Sequence, residues 1–253
     1  GTTRGLDPEV FDPTLAGNPA TAHLAWHDVE SIGAEGRAWP EQPRLRWYDR
    51  LPAAAEKTVT SNVWNLSRHS AGMMVRFQTD ASAISVRYKL LNERLASPNM
   101  SAMGASGVDL YARDSKGRWR WVSASKPAGI TVDAQLINGL APGSREYALY
   151  LPLYNGVEKL EIGVPPGANF TGLAPRTAKP VGFYGTSITH GASASRAGMV
   201  HTAIIGRHLD APVINLGFSG NGRMDAAGGE FLKEIDAAVC IIDCLPNMAP
   251  AQV

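Results

Sequence analysis

Val181-Gly182-Phe183-Tyr184-Gly185-Thr186-Ser187-Ile188-Thr189-His190-Gly191 is a short apolar run that breaks at a glycine and continues as a polar turn. A four-residue run apolar on both faces suits a strand buried inside a parallel sheet. Downstream, a helix-like segment spans about 196–209, and residues 212–216 form a second apolar run ending at Gly217. Another helical stretch, 229–235, leads into a third run over 237–242. Strand, helix, strand, helix, strand predicts a parallel sheet with covering helices.

Upstream the style differs. Residues 82–89 alternate Ile84, Val86 and Tyr88 with polar neighbours, the period of a half-buried strand. Strand-like runs recur at 108–113, 118–121, 146–151 and 157–164, with turns at Asp114-Ser115-Lys116-Gly117 and Tyr154-Asn155-Gly156. This spacing predicts an antiparallel β-sandwich, jelly-roll-like. The first fifty-odd residues, carrying Trp26, Trp39 and Trp47, read as an extended lead-in packed by its aromatics. Residues 92–107 read as a long loop, a kind that is often functional. The styles meet at the proline-rich stretch near 176. The expected division is therefore 1–176, sandwich with lead-in, and 177–253, α/β domain.

Ligands of parallel α/β sheets bind beyond the carboxyl ends of the strands. Here those ends read Gly185-Thr186-Ser187-Ile188-Thr189, Gly217-Phe218-Ser219-Gly220-Asn221-Gly222, and Asp243-Cys244-Leu245-Pro246-Asn247. They lie about thirty residues apart, one βαβ unit each. A serine, a glycine-rich turn and an asparagine thus reach one sheet edge, which suits acyl transfer: a nucleophile, then amides for an oxyanion. Taken singly each motif is weak, since a lone serine there is most often a helix cap and an asparagine after proline a turn residue. A phosphate or dinucleotide site is disfavoured. The second turn lacks the G-x-G-x-x-G order and no P-loop lysine follows.

The three segments together resemble the SGNH (GDSL-like) hydrolases, whose blocks are Gly-Asp-Ser, a strand with Ser-Gly-Asp/Asn, and a later asparagine. Thr186 stands where the pattern has aspartate. The resemblance implies that Ser187 is the nucleophile, that its own N–H and that of Gly220 are oxyanion donors, and that the Asn247 amide is a third. It extends to a subgroup joining a β-sandwich to the esterase domain, whose members are mostly carbohydrate de-acetylases. The family's last block, Asp-x-x-His, supplies the base; after Asn247 only Met-Ala-Pro-Ala-Gln-Val remains. The expectation is that the chain is the N-terminal part of a longer protein with an incomplete parallel sheet. The alternative is that a histidine already present acts as base, with His190 and His201 closest in sequence.

Other candidates carry less. His23, His27 and His69 read as structural residues of the sandwich half, and His201 and His208 as sharing a helix face without a metal-site pattern. Trp119 and Trp121 could stack on sugars, but aromatic residues at period two usually face the core, leaving Arg118 and Arg120 in solvent. Asp243 could steady the active-site turns or cap a helix. Arg196 and His190, after the serine, could touch substrate. Cys240 and Cys244 would lie about 13 Å apart on a strand, beyond disulfide reach, and read as buried hydrophobes.

Composition bounds the rest. Apolar residues at 44% and charged residues at 19% are globular values, and a net charge of +1 gives no field for nucleic acid or an anionic membrane. No run approaches the roughly 18 apolar residues of a membrane span. The expected function is metal-free, cofactor-free hydrolysis of an oxygen ester, an O-acetyl group on a small molecule or polysaccharide, outside the cytoplasm. The second hypothesis is a carbohydrate-binding protein or pseudoenzyme with a vestigial esterase half.

Overall fold

The structure is a computed structural model, and residues 21 and 23–250 are described. The first twenty residues of the expected lead-in lie outside them. Among the described residues, nine strands build the N-terminal half: β1 (Ala25–Asp28), β2 (Met74–Thr79), β3 (Ala83–Leu90), β4 (Asp109–Arg113), β5 (Trp119–Ala124), β6 (Thr131–Asn138), β7 (Arg145–Tyr150), β8 (Val157–Val164) and β9 (Phe170–Leu173). They form two antiparallel sheets, ordered β1-β8-β3-β6 and β5-β4-β7-β2-β9. Inward residues of both sheets, among them Phe77, Val86, Tyr88, Leu110, Tyr147, Leu149 and Ile162, share one buried core, as alternation in each strand requires. The β4–β5 hairpin is fixed by its turn: Asp114 accepts from the amides of Lys116 and Arg118, and Gly117 takes the left-handed conformation.

The C-terminal half contains β10 (Val181–Gly185), β11 (Val213–Gly217) and β12 (Val239–Asp243), all parallel, with β10 between the other two. Its helices are α4 (Ser187–His190), α5 (His201–Leu209) and α6 (Ala226–Leu232); earlier come α1 (Val29–Ile32), α2 (Ser61–Ser67) and α3 (Ala102–Ser106). His201 of α5 meets Phe183 edge-on, whereas Gly228 of α6 packs at Tyr184. Phe183 and Tyr184 are consecutive strand residues, so the two helices cover opposite faces. β12 is an outer strand with Val239, Cys240, Ile241 and Ile242 all exposed. Cys240 is therefore not the buried hydrophobe its sequence suggests; Cys244, beyond the strand end, is.

The lead-in departs from expectation. It is not an extended strap: beyond β1 it turns repeatedly, through a 3-10 segment at Ala53–Lys57 and α2. Its tryptophans serve different cores. Trp26 lies under the Arg87 guanidinium on the sandwich, and Trp47 packs at the sandwich core. Trp39 packs with Leu51, Val63 and Trp64 against Tyr184, Leu216 and Phe218 of the parallel sheet.

Trp119 and Trp121 also differ from expectation. They do not face the sandwich core. Trp121 is 51% exposed, donates its indole N–H to Asp109, and is covered on one side by Arg196 at 4.6 Å. A register shift beside Trp121 gives the core position to Val122 instead. Arg118 and Arg120 do lie in solvent, both on Asp114.

Candidate active site

Parallel register brings Gly185, Gly217 and Asp243 level at the carboxyl edge of the sheet. The three following segments are then laced together by backbone. The Phe218 amide donates to Gly185 O at 2.8 Å, and the Thr186 amide to Asp243 O at 3.1 Å. Gly222 passes so near this edge that a Cβ there would lie 1.9 Å from Gly185 O. Only a glycine permits the approach.

Ser187 is the first residue of α4. Thr186 caps this helix, its buried hydroxyl accepting from the Ile188 amide at 3.2 Å. The threonine thus satisfies a helix-start donor, as an aspartate would, without adding a negative charge beside Ser187. The Ser187 hydroxyl is part-exposed, and neither it nor the Ser187 N–H hydrogen-bonds within the described residues. Gly220, exposed at φ +72°, leaves its N–H equally unengaged. Asn247 lies on the 3-10 turn Leu245–Asn247, and its amide reaches Gly222 O at 3.4 Å. The structure therefore brings the Ser187, Gly220 and Asn247 segments to one edge. Asp243 steadies the arrangement, accepting from the Thr189 hydroxyl at 3.3 Å, and caps no helix.

Two polar residues hold this edge from below, and neither was singled out by its sequence. Asn215 on β11 accepts from the Gly217 amide and donates to Thr189 O at 2.7 Å and to the Thr202 hydroxyl, tying strand to α4 and α5. Arg50, 1% exposed, donates to the carbonyls of Leu66, His69, Asn215 and Gly217. Burial pushes its pKa down to about 9. A lone arginine in a loop offers no periodicity to reveal such a role.

His190 is fully buried. Its Nε2–H donates to Leu153 O at 2.7 Å, and Nδ1 faces the Ser219 amide at 3.4 Å. The ring stacks on Tyr154, whose hydroxyl points at Ser187 O. Burial, with the Arg50 charge and His69 adding to it, pushes its pKa well below the ordinary value. A neutral imidazole with both nitrogens engaged is a structural pillar, neither base nor substrate contact. His201 stands edge-on to Phe183 at 5.6 Å and does not bond Ser187. His69 touches His190 at 3.4 Å, and burial with Arg50 takes it down to about 3. His27 stacks on Phe170, and His23 and His208 are exposed.

Two family descriptions match the chain. The N-terminus of SGNH hydrolase-type esterases, named GxDLY, matches residues 24–170, and the GDSL-like lipase/acylhydrolase family matches residues 178–253. The chain belongs to the SGNH, or GDSL-like, hydrolase family. Its Gly107-Val108-Asp109-Leu110-Tyr111 spells the sequence for which the N-terminal region is named. This SGNH chain is similar to a protein from Bacteroides ovatus ATCC 8483 described as a GDSL-like lipase, with 32% identity and a TM-score of 0.85 over 90% of the chain. It spans 66% of that protein's length. A likeness in fold extends to the salicylyl-acyltransferase SsfX3 of a tetracycline biosynthetic pathway, at 17% identity and a TM-score of 0.59, covering 82% of this chain and 57% of that one. No curated protein matches the chain. Among the described residues, no helix is long and apolar enough to cross a membrane.

Proposed function

We propose that this chain carries the nucleophile and oxyanion site of a serine esterase, on a three-layer parallel-sheet domain behind a jelly-roll-like sandwich. The substrate is an oxygen ester, an acetyl group on a carbohydrate outside the cytoplasm. The observation that carries the reading is the edge at which Gly185, Gly217 and Asp243 lie level, with Ser187 starting a capped helix just beyond Gly185 and Asn247 in contact with the intervening glycine turn.

In the proposed reaction the Ser187 oxygen attacks the ester carbonyl while its proton passes to a base. The carbonyl oxygen gains the charge and is met by the N–H groups of Ser187 and Gly220 and the Asn247 amide. Collapse breaks the ester C–O bond, the base hands its proton to the departing sugar oxygen, and an acetyl-serine is left. Water then attacks the acyl carbon, giving a proton to the base, which passes it to the serine oxygen as acetate departs. None of the six histidines bonds Ser187, and the family's base is the histidine of an Asp-x-x-His segment.

The full-length protein, given p-nitrophenyl acetate and a peracetylated sugar, should release acetate from both. Ser187→Ala should abolish turnover without shifting thermal unfolding, because the side chain is part-exposed at a turn. A serine-reactive phosphonate should label Ser187 alone. Full activity in the alanine variant sinks the assignment; release from the aryl ester but not the sugar sinks the carbohydrate substrate.

A further inference from the structure

We propose that Asp109, in the Gly-x-Asp-Leu-Tyr segment of the sandwich, is a positioning residue for the nucleophile: it pins the loop leaving α4 against the sandwich sheet. The inference rests on Ser187 being that nucleophile.

The Asp109 side chain is fully buried at the start of β4. Its Oδ2 accepts from the Gly198 amide at 2.8 Å and faces the Arg196 guanidinium at 3.4 Å; its Oδ1 accepts from the Trp121 indole at 2.9 Å. Two of these three groups come from the loop that follows the nucleophile. Burying a carboxylate costs several kcal/mol unless donors compensate, and strand pairing needs no side-chain charge there. Burial pushes this carboxyl up to about 6 even with its donors in place. A group so costly to the sandwich is explained by what it holds.

The neighbouring residues serve the same contact. A Cβ on Gly198 would lie 2.4 Å from the Tyr111 ring and 2.9 Å from Asp109 Oδ2, so the loop is pressed flat on β4. Arg207 of α5 lies over Tyr111 at 4.1 Å and donates to Gly198 O at 2.7 Å. Gly107, where a Cβ would meet Met103 O and Ser125 O at 2.6 Å, lets α3 close on the strand. The loop before α3 then reaches across, Asn99 donating to the Ser193 hydroxyl at 3.0 Å. Val108 and Leu110 of this segment point into the sandwich core instead. At its other end the pinned loop begins on the nucleophile itself: the Gly191 and Ala192 amides both donate to Ser187 O, at 3.0 and 2.8 Å. The sandwich thus fixes α4 through a short covalent path, and is scaffold for the site more than a separate binding module.

The test uses the full-length protein with Asp109→Ala and the isosteric Asp109→Asn. Three quantities are read: amide exchange over residues 193–200, the rate of phosphonate labelling of Ser187, and kcat and KM on p-nitrophenyl acetate. In the alanine variant, exchange at Gly198 should rise about tenfold or more, as loss of one charge-assisted hydrogen bond implies. Labelling and kcat should fall together, up to about 10²-fold for a displacement near 1 Å, with KM little changed. The asparagine variant, which keeps an acceptor, should recover part of each, and it decides the matter should the alanine variant not fold. Unchanged exchange overturns the proposal. So does faster exchange with labelling and kcat intact, which makes Asp109 a purely structural contact. A wild-type protein that neither takes the label nor turns over ester fails the esterase reading instead, and overturns the coupling to Ser187 even where the exchange shows the loop is pinned.

Discussion

Arg50 donates through Nη1 to Gly217 O at 2.8 Å, so a guanidinium from the lead-in holds the residue at which β11 becomes the glycine-rich turn. The same side chain satisfies three further carbonyls, at Leu66, His69 and Asn215. Arg50→Ala should destabilise the protein by about 3 kcal/mol or more, because several buried acceptors lose their donor at once and each costs about 1–3 kcal/mol. Arg50→Lys should recover little, since one ammonium cannot span a fork of four carbonyls. Urea unfolding of both variants measures this, and a loss below about 1 kcal/mol in the alanine variant contradicts it.

Asn247→Ala should lower kcat by about 10²–10³-fold with KM less affected, because the amide is proposed to meet charge that exists only in the transition state. Its side-chain hydrogen bond among the described residues, to Gly222 O, is long at 3.4 Å, so removing it should leave the thermal midpoint nearly unchanged. Steady-state kinetics on p-nitrophenyl acetate distinguishes the roles: a change confined to KM makes Asn247 a ground-state contact.

Much of this site was legible because each of its segments follows an apolar strand, and the parallel-sheet rule says where such ends meet. The runs at 181–184, 212–216 and 237–242 correspond to β10, β11 and β12 within one or two residues. In the sandwich, β8 matches its expected bounds, whereas β1, β2, β6 and β9 were not anticipated. β6 alternates, Val132-Asp133-Ala134-Gln135-Leu136, but is weakened as a strand signal by Asp and Ala, and β9 is four residues containing a glycine. The reversed face of Trp119 and Trp121 was unreadable for a different reason: a bulge changes which parity points inward, and period-two reasoning assumes none. The supports were hidden too. Arg50, Asn215 and Asp109 act through backbone groups distant in sequence, and no local pattern records such a partner.

The His69–His190 pair, part-buried and fully buried in turn, gives a pH signature. His69 is taken to about 3 and His190 well below its ordinary value, in both cases by burial first and the Arg50 charge second. In the unfolded chain both return to the ordinary imidazole value of 6.5. Between that value and pH 3 the unfolded state binds protons that the folded state refuses. Their contribution to stability is therefore complete above pH 6.5 and is lost as the pH falls, by about 1.4 kcal/mol per pH unit for each histidine. Asp109, raised by burial, works in the opposite sense between its unfolded value of 3.8 and about 6, gaining stability as the pH falls. Urea midpoints from pH 7 to 4.5 should consequently fall less steeply in His69→Gln than in the wild type. Parallel curves would place a charged His69 in the folded protein.

Two glycines of one turn should respond oppositely to the same substitution. Gly222→Ala puts a methyl group 1.9 Å from Gly185 O, a contact with backbone that no rotamer can relieve. The turn must move off the β10 edge, and the Asn247 amide loses its place on Gly222 O. Both stability and kcat should drop, kcat by about 10²-fold or more. At Gly220 nothing lies within 4 Å of an added Cβ, and only the left-handed φ of +72° opposes it. That conformation costs an L residue roughly 1–2 kcal/mol. The proposed role of Gly220 belongs to its backbone N–H, which alanine retains, so Gly220→Ala should lose stability on that scale while kcat stays within about fivefold, under the 10²–10³-fold cost of losing an oxyanion donor. Melting curves and ester kinetics on the two variants check the contrast. Equal losses of kcat would show that the turn acts through its overall shape, and would remove the case for Gly220 as the individual donor.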